Sequence, residues 1–340
     1  MNANLQIKTI SEGKLPKNDL HEFMLDVEKG LSGRKKFISS KYFYDAKGSE
    51  LFNQITRHPD YYLTKCELEI LEENKREFAS IFGESSFNLI ELGPGEGIKS
   101  RIFLDQFLKD SLDFTYFTID ISRRYLNQIV KQFHQDLPKL KLIALNSDYF
   151  SGLHWLSQRS KRRNVVLFLG SSIGNFNPKD TETFLKNIAN DLQNDDYLLI
   201  GFDLRKDIDI LNKAYNDSDL ITRNFNLNLL TRMNRELGAH FDLEKFQHYA
   251  TYNVYSGAME SYLLSRAKQS IRIDALNRSF NFYEYEPIHV EYSYKYLIDH
   301  IEEIAHKSGF EIVKNYMDSK SYFVDSLWRV RKQSPGENSV

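Results

Sequence analysis

The sequence predicts a Rossmann-like α/β fold with a second α+β lobe. Apolar, strand-like runs alternate with helical patterns from Asn88 to Asp203, which is the order of a parallel sheet covered by helices. Three alternating glycines follow the first of these strands. The alternation stops between Asp207 and about Glu291 and returns at Ser293. Because a doubly wound sheet does not need the interrupting residues, we expect them to form the second lobe together with the N-terminal segment.

The glycine-rich segment reads Asn88-Leu-Ile-Glu-Leu-Gly-Pro-Gly-Glu-Gly-Ile-Lys99. Its first apolar residues predict a strand buried on both faces, and residues 102–108 predict a helix that packs on the sheet. Gly93, Gly95 and Gly97 allow positive φ angles and a close approach of a ligand to the backbone. A strand, a glycine loop and a helix in this order hold adenosine-containing cofactors in doubly wound proteins.

The spacing of the glycines favours one such cofactor. A dinucleotide site needs the pattern G-x-G-x-x-G, and here Ile98 stands where the third glycine would be. Glu91, before the loop, and Asp120, at the end of the next strand, supply carboxylates. These groups suit a ligand with ribose hydroxyls and a positive charge but no phosphate, which describes S-adenosylmethionine (SAM). The alternative is a glycine-rich turn that holds no ligand.

Polar residues follow the later strands of the predicted sheet. The four later strands are predicted at Phe114–Asp120, Leu140–Leu145, Val165–Leu169 and Asp196–Phe202. Asp148 is our candidate for the adenine end of the cofactor site, and an aspartate that only caps a turn is the alternative. Asn175 lies in the loop Gly170–Pro178, where its amide can grip an amino acid or merely stabilise the turn.

The C-terminal pattern completes the sheet. A helix at Tyr296–Lys307 capped by Gly309, and strands at Phe310–Tyr316 and Tyr322–Arg331, predict seven strands with an antiparallel edge strand. We therefore assign residues 66–203 and 295–332 to the cofactor domain. Residues 1–65 and 204–294 form the predicted substrate-binding lobe, and residues 333–340 a disordered tail.

Composition excludes several classes of protein. A net charge of −2 with interspersed signs argues against nucleic-acid binding. Cys66 is the only cysteine, so no intramolecular disulfide or thiolate metal cage is available, and the nine histidines show no H-x-x-x-H pair. No apolar run has the length of a membrane span, and the N-terminus lacks a signal-peptide core. We expect a cytoplasmic protein that binds small molecules and has no metal.

Several ordered segments together resemble the histidine-specific methyltransferase family. The segments are Lys41-Tyr-Phe-Tyr-Asp-Ala-Lys-Gly-Ser-Glu-Leu-Phe52, His58-Pro-Asp-Tyr-Tyr62, the glycine loop, Phe168-Leu-Gly-Ser-Ser-Ile-Gly-Asn175, Phe225-Asn-Leu-Asn228 and Asn234-Arg-Glu-Leu-Gly238. The resemblance runs from about residue 36 to 331. It implies a SAM-dependent enzyme, a Rossmann-like methyltransferase domain, a separate substrate lobe and a monomer. The best-known family members trimethylate the α-amino group of histidine in ergothioneine biosynthesis.

The resemblance also implies roles for individual residues. Tyr44 and Tyr61 match tyrosines that line the substrate pocket, and Asn175 and Tyr215 match the pair that holds the substrate carboxylate. Glu291 and Ser293 match the residues placed on the imidazole ring. The positions that match cofactor-binding residues are Gly93, Lys99, Asp120 and Asp148, with Tyr149 beside the last and Tyr44 shared with the substrate. Tyr44 is our candidate catalytic residue near the reacting amine.

The sequence departs from the family pattern at two places. The loop reads G-P-G-E-G where the family commonly has G-S-G-T-S, and Ser261 follows Glu260 where the family's histidine enzymes carry Met. Our hypothesis is methylation of the α-amine of L-histidine to its trimethylated form. One alternative is another aromatic amino acid, such as a tryptophan derivative. The other is a non-catalytic regulatory protein that binds SAM or an amino acid.

Overall fold

The computed structural model describes residues 5–10 and 19–332, which form two compact units. One unit, called here the Rossmann unit, contains residues 5–10, 65–204 and 296–332. The other, called the insert unit, contains residues 19–64 and 205–295. The predicted disordered tail, residues 333–340, lies outside the described residues.

The described residues contain fourteen strands and ten α-helices. The strands are β1 Leu5–Thr9, β2 Lys36–Phe37, β3 Phe87–Leu92, β4 Phe114–Asp120, β5 Leu142–Asn146, β6 Arg163–Phe168, β7 Tyr197–Asp203, β8 Phe246–Asn253, β9 Ala258–Ser265, β10 Gln269–Ile273, β11 Arg278–Phe282, β12 Pro287–Tyr294, β13 Phe310–Met317 and β14 Phe323–Val330. The helices are α1 Asp19–Ser32, α2 Ala46–Arg57, α3 Tyr62–Phe82, α4 Ile98–Lys109, α5 Arg123–Asp136, α6 Tyr149–Ser157, α7 Pro178–Asp191, α8 Ile208–Tyr215, α9 Ile221–Leu237 and α10 Ile298–Lys307.

The Rossmann unit is built on one eight-stranded sheet in the order β1-β5-β4-β3-β6-β7-β14-β13. The pairs from β1 to β7 are parallel, and β14 runs antiparallel to both of its neighbours. All six residues of β3 are buried, as its continuous apolar run predicts for a central parallel strand. The Rossmann-like fold class is therefore confirmed.

Two details of the predicted sheet are wrong. The sheet has eight strands because β1 pairs with β5, so residues 5–9 belong to the Rossmann unit and not to the other lobe. The antiparallel strand β14 lies between β7 and β13 instead of at the edge. Both errors have one physical cause, since strand pairing uses backbone groups that every residue carries, so the side chains do not specify which strand becomes the neighbour.

Single residues in the sequence mark three of the helix boundaries. Ser122 caps α5 by accepting the amide of Tyr125 at 3.4 Å, and Pro178 occupies the first turn of α7 after the cap residue Asn177. Gly309, just past α10, has φ +86°, the left-handed conformation that ends a helix. These boundaries depend on adjacent residues alone.

The insert unit contains a four-stranded sheet in the order β2-β12-β9-β8 and the hairpin β10-β11. A large cluster of buried side chains, including Leu229, Leu263 and Ile288, forms its core. In this insert the sequence patterns predict a helix at Phe225–Leu237 and strands at His248–Tyr255, Glu260–Ser265 and Ser270–Ile273. These correspond to α9 and to parts of β8, β9 and β10, whereas α8, β11 and β12 were missed. The strand β12 carries Glu291 and Ser293, so the missed strand is the one that positions two of the predicted site residues.

Asp217 lies two residues after the end of α8 and fixes the start of α9 at Ile221. Its two carboxylate oxygens accept the amides of Ile221 and Thr222, each at 2.7 Å, and the residue is 4% exposed. Leu220, in between, has φ +60°. Without the carboxylate, two amides at a helix N-terminus would lose their acceptors.

We predict that Asp217→Ala lowers the free energy of unfolding by about 1–3 kcal/mol, because two buried donors lose a charged acceptor. Thermal denaturation followed by circular dichroism measures the change. The matched control is Asp242→Ala, because Asp242 is exposed, its carboxylate accepts the amide of Glu244 at 3.2 Å, and its ion pair with Lys245 at 3.5 Å is also exposed. Equal effects of the two substitutions would contradict the role given to Asp217.

Candidate active site

The glycine loop has the geometry that the sequence predicts. Gly93, Gly95 and Gly97 have φ angles of +72°, +56° and +74°. A Cβ at Gly93 would lie 2.6 Å from Oη of Tyr149, whereas a Cβ at Gly95 would meet no atom within 4 Å. The loop therefore packs against Tyr149 on one side and leaves space at Gly95, where a ligand can approach the backbone.

One oxygen of Glu91 is used inside the Rossmann unit, and a contact of this carboxylate with the cofactor stays a prediction. Glu91 is 3% exposed and accepts hydrogen bonds from the hydroxyls of Ser100 on α4 and Tyr116 on β4. Burial raises its pKa above the ordinary value, although both hydroxyls act in the opposite direction. Glu91 thus anchors the glycine loop and α4 to the sheet.

Asp120, at the end of β4, keeps one carboxylate oxygen available. Its Oδ1 accepts the amide of Ser122 at 2.6 Å, and no described residue donates to the other oxygen. Burial raises the pKa of Asp120 to about 6, partly offset by the Ser122 amide. The next residue, Ile121, is 72% exposed. A carboxylate acceptor beside an exposed apolar side chain is suited to a ribose and the flat base attached to it.

Asp148 and Tyr149 begin α6. Both oxygens of Asp148 bind Ser151, Oδ1 accepting its amide at 3.0 Å and Oδ2 its hydroxyl at 2.7 Å, so Asp148 is the N-cap of the helix. The Tyr149 ring packs at 5.9 Å from that of Phe168, and burial raises its pKa above the ordinary range. The structure thus contains the helix cap that was the alternative for Asp148, and a cofactor contact stays a prediction.

The side chain of Lys99 lies next to two buried acidic residues, Glu67 and Asp325. Its ammonium forms an ion pair with Glu67 on α3, whose other oxygen accepts the amide of Gly170 at 2.6 Å. Asp325 on β14 is fully buried, and burial followed by the charge of Glu67 raises its pKa well above the ordinary value. The sequence analysis missed Glu67. A signal was present, because the buried residues Leu63 and Leu71 each lie four positions away on α3 and so place Glu67 on the buried face of the helix.

The loop after β6 has a left-handed turn and is hydrogen-bonded to β7. Gly170 and Ser171 both have positive φ angles, +83° and +56°, and the Ser171 hydroxyl accepts the amide of Asp203 at 3.0 Å. Asn175 ends the short 3-10 helix Ser172–Asn175 and is half-buried. No described residue hydrogen-bonds its side-chain amide, which leaves both of its polar atoms available to a ligand.

In the insert unit, polar residues interrupt an otherwise apolar sheet face. On β9, Leu263 belongs to the large core cluster and Met259 to a smaller one, and Ser261 lies between them on the same face. Glu291 on β12 is the direct cross-strand partner of Ser261, and Ser293 that of Met259. The carboxylate therefore lies at a gap between two hydrophobic clusters.

Three side chains next to this gap form a closed triangle of hydrogen bonds. The Tyr215 hydroxyl donates to Oγ of Ser293 at 2.7 Å, and the ammonium of Lys295 donates to both oxygens at 2.8 Å. Lys295 is 2% exposed. Sequence reasoning missed this lysine, although its signal was present: residues 291, 293 and 295 alternate along the strand direction and so share one face.

The two other predicted tyrosines also lie in the insert unit. Tyr61 is half-buried, with its ring centroid 6.4 Å from that of Tyr215. Tyr44 is 41% exposed and contacts Phe52 and Phe225 edge-on at 5.4 and 5.8 Å. The structure thus brings Tyr61, Tyr215, Glu291 and Ser293 to one region and places Tyr44 on a neighbouring aromatic cluster.

Comparison with known proteins identifies the family of this chain. The sequence model described as "Histidine-specific methyltransferase, SAM-dependent" matches residues 23–330. The chain belongs to this family. As a member of it, the protein is a SAM-dependent methyltransferase, and the predicted cofactor and enzyme class are confirmed.

Individual relatives cover nearly the whole methyltransferase. The Histidine N-alpha-methyltransferase of Mycolicibacterium smegmatis is 36% identical over 302 residues, 89% of this chain and 93% of that protein. The protein of the same name from Mycobacterium tuberculosis is 33% identical over the same shares. The L-tryptophan methyltransferase of Psilocybe serbica is 25% identical over 84% of this chain and 86% of its own length.

The Rossmann unit of this methyltransferase fits SAM. The open space at Gly95 admits a ligand, and Asp120 has an oxygen that lacks a donor and can accept from a ribose hydroxyl. Within residues 5–10 and 19–332, no helix is long and apolar enough to cross a membrane, and no group of His, Cys, Asp or Glu side chains has the arrangement of a metal site. The monomeric state and the cytoplasmic location stay predictions.

Glu291 is the most perturbed carboxylate of the methyltransferase's insert unit. Burial raises its pKa from the ordinary 4.5 to about 7, and the positive charge of Lys295 opposes the shift. A carboxyl with a higher pKa in the folded chain binds its proton more tightly there than in the unfolded chain. It therefore lowers stability as the pH rises from 4.5 to 7, and the whole loss is present above pH 7.

We predict that Glu291→Gln removes this loss. The free energy of unfolding of the variant minus that of the wild type should rise by about 1–3 kcal/mol between pH 5 and pH 8. Chemical denaturation across this range measures it. Glu311→Gln is the control, because Arg331 and then Arg329 lower the pKa of Glu311 to about 2 and it keeps one charge state throughout. A Glu291 difference that is constant with pH would refute the assignment.

Proposed function

We propose that this methyltransferase transfers methyl groups from SAM to the α-amino group of L-histidine, up to the trimethylated product. The names of the relatives at 36% and 33% identity support this substrate. The observation that carries the proposal is the half-buried carboxylate of Glu291, which no described residue hydrogen-bonds, next to the hydroxyl of Ser293 on the same face of β12. Among the common aromatic amino acids, only histidine has a ring with both a donor and an acceptor nitrogen.

The charge of Glu291 strengthens the argument. A carboxylate in this environment is costly to leave without a donor, so its burial favours a ligand that brings an N–H group or a positive charge. The imidazole of histidine has an ordinary pKa near 6.5, close to the value of about 7 for Glu291. One proton can therefore be shared between the two groups near neutral pH.

The reaction requires a neutral amine. SAM supplies an electrophilic methyl group on a sulfonium, and the amine must approach it in line after losing its own proton. Tyr44, the candidate near the amine, is 41% exposed and can pass that proton to water. We propose that Tyr61 lines the substrate pocket. Asn175 and Tyr215 stay our candidates for the substrate carboxylate, although the Tyr215 proton is directed at Ser293 in the structure.

We assign the cofactor contacts to the Rossmann unit. Gly93 turns the loop with a positive φ angle and Gly95 leaves the backbone open to the ligand. Asp120 accepts from the ribose, and Ile121 offers an apolar surface to the base. Tyr149 limits the loop at Gly93, and Asp148 holds the start of its helix. Lys99 contributes a positive charge that Glu67 balances, so we expect it to position the loop at Gly170 as much as the ligand.

We predict that the protein, incubated with L-histidine and SAM, produces histidine carrying additional methyl groups, detected by mass spectrometry. Glu291→Gln should lower kcat/KM for histidine about 10- to 100-fold, mainly through KM, because the contact is remote from the reacting nitrogen. Glu284→Gln, at an exposed glutamate of the same unit, is the control. The absence of any methylated histidine would remove the substrate assignment.

A tryptophan-type substrate is the second candidate. Ser261, 1% exposed, stands directly across from Glu291, so the space there is larger than a methionine would leave. The relative named L-tryptophan methyltransferase supports this alternative, at 25% identity. Glu291 opposes it, because an indole offers the carboxylate one N–H group and no positive charge.

We predict that Ser261→Met raises the ratio of kcat/KM for histidine to that for tryptophan at least about tenfold, because the added side chain fills space that the larger ring needs. Rates with labelled cofactor measure both values. Ser270→Met, at an exposed position of β10, should leave the ratio unchanged. An unchanged ratio would show that Ser261 does not border the ring, and a fall would contradict the predicted direction.

A further inference from the structure

The hydroxyl of Ser293 has both of its acceptor positions occupied. It receives one hydrogen bond from the Tyr215 hydroxyl at 2.7 Å and one from the Lys295 ammonium at 2.8 Å. A serine oxygen has two lone pairs and one proton. With both lone pairs used, Ser293 can bind a further group only by donating its proton.

The direction of the bond between Tyr215 and Ser293 follows from their acidities. One proton lies between the two oxygens, and the phenol, with an ordinary pKa near 10, is a stronger acid than an alkyl hydroxyl. Lys295 donates to both oxygens and cannot accept. The proton that must point out of the triangle is therefore that of Ser293.

Lys295 is built into this arrangement. It is 2% exposed, and its ammonium lies 4.7 Å from the centre of the Tyr215 ring as well as on the two hydroxyl oxygens. Its backbone amide donates to the carbonyl of Gly257 at 2.9 Å, which fixes the chain just after β12. A long side chain anchored at both ends holds one geometry with little loss of entropy on ligand binding.

We propose that Lys295 is a specificity-determining positioning residue, which forces Ser293 to act as a donor only and so makes the site select a ring with an acceptor nitrogen. The inference rests on the proposed function and deepens it. Glu291 accepts from the N–H group of the ring, and Ser293 donates to its other nitrogen. The two residues are separated by two positions on one strand face, about 7 Å, which a five-membered ring with opposed hydrogen bonds can span.

This arrangement excludes an indole on the side of Ser293. An indole nitrogen donates and has no lone pair to accept, so the Ser293 proton would lose its partner in a buried position. Discrimination against rings without an acceptor therefore comes from Ser293 and Lys295, independently of the carboxylate. The departure at Ser261 changes the space across the strand and leaves this requirement intact.

Ring analogues of histidine separate the two contacts. Thiazol-4-ylalanine and thiazol-5-ylalanine each keep one of the two ring nitrogens as acceptor and replace the N–H group by sulfur, and 2-thienylalanine has neither. The ratio of kcat/KM for the better thiazolylalanine to that for 2-thienylalanine, called here the acceptor ratio, measures the contribution of the acceptor nitrogen. Methyl transfer from labelled SAM to each analogue gives the rates.

We expect an acceptor ratio of at least about tenfold in the wild type and near one in Ser293→Ala. Lys295→Met should lower the ratio at least about fivefold, because the Ser293 proton is then no longer directed at the ligand. Glu291→Gln should leave the ratio unchanged while lowering the preference for histidine over thiazolylalanine. The matched control is Lys36→Met, because Lys36 is a largely buried lysine of the same unit, paired with Glu286 at 2.6 Å.

A loss of packing alone would lower the rates of all analogues equally, so an acceptor ratio in Lys295→Met equal to that of the wild type overturns the inference. If this variant does not fold, Tyr215→Phe replaces it, since it returns one lone pair to Ser293 and should lower the ratio in the same direction. An unchanged ratio in that variant also overturns the inference. If the wild type methylates no histidine at all, the proposed function itself fails.

Discussion

The proposed site in the insert unit depends on two charged side chains, Glu291 and Lys295, that lie on an otherwise apolar sheet face. Glu291 and Lys295 lie on the same strand segment, and neither is surrounded by solvent. Burial of an ionised group costs several kcal/mol unless hydrogen bonds or an opposite charge compensate it. Lys295 is compensated by the oxygens of Tyr215 and Ser293, whereas no described residue donates to Glu291. This asymmetry is the reason for our proposal that this part of the sheet binds a ligand with a donor.

The Rossmann unit applies the same principle in a different way. Glu67 is buried, and its two oxygens are used by the amide of Gly170 and the ammonium of Lys99, so this carboxylate holds two loops together. Asp120 differs because one of its oxygens has no donor among the described residues. A carboxylate that holds the structure is thus distinguished from one that can bind a ligand by what its second oxygen does, not by its position at a strand end.

The structural elements of the Rossmann unit were easier to predict from the sequence than those of the insert unit. The central strands, the glycine loop and the helix starts marked by Ser122 and Pro178 were predictable, because each depends on residues adjacent in the chain. The short strand β1 and the place of β14 were not, because backbone pairing selects them. In the insert unit, β12 was missed because it carries Glu291 and Ser293 on the face that a strand pattern would make apolar. A functional site breaks the local pattern that predicts structure.

The sequence by itself determined the Rossmann-like fold class, the SAM-type loop and the family, because these follow from residue spacing within short segments and from their order. It also supplied the names of most candidate site residues. Only the tertiary structure decided what several polar groups do: that Glu91 is an anchor, that Glu67 joins Lys99 to Gly170, and that Lys295 binds Tyr215. The physical reason is that a hydrogen bond's direction and a charge's environment are set by groups distant in the chain, which only folding brings within 3 Å.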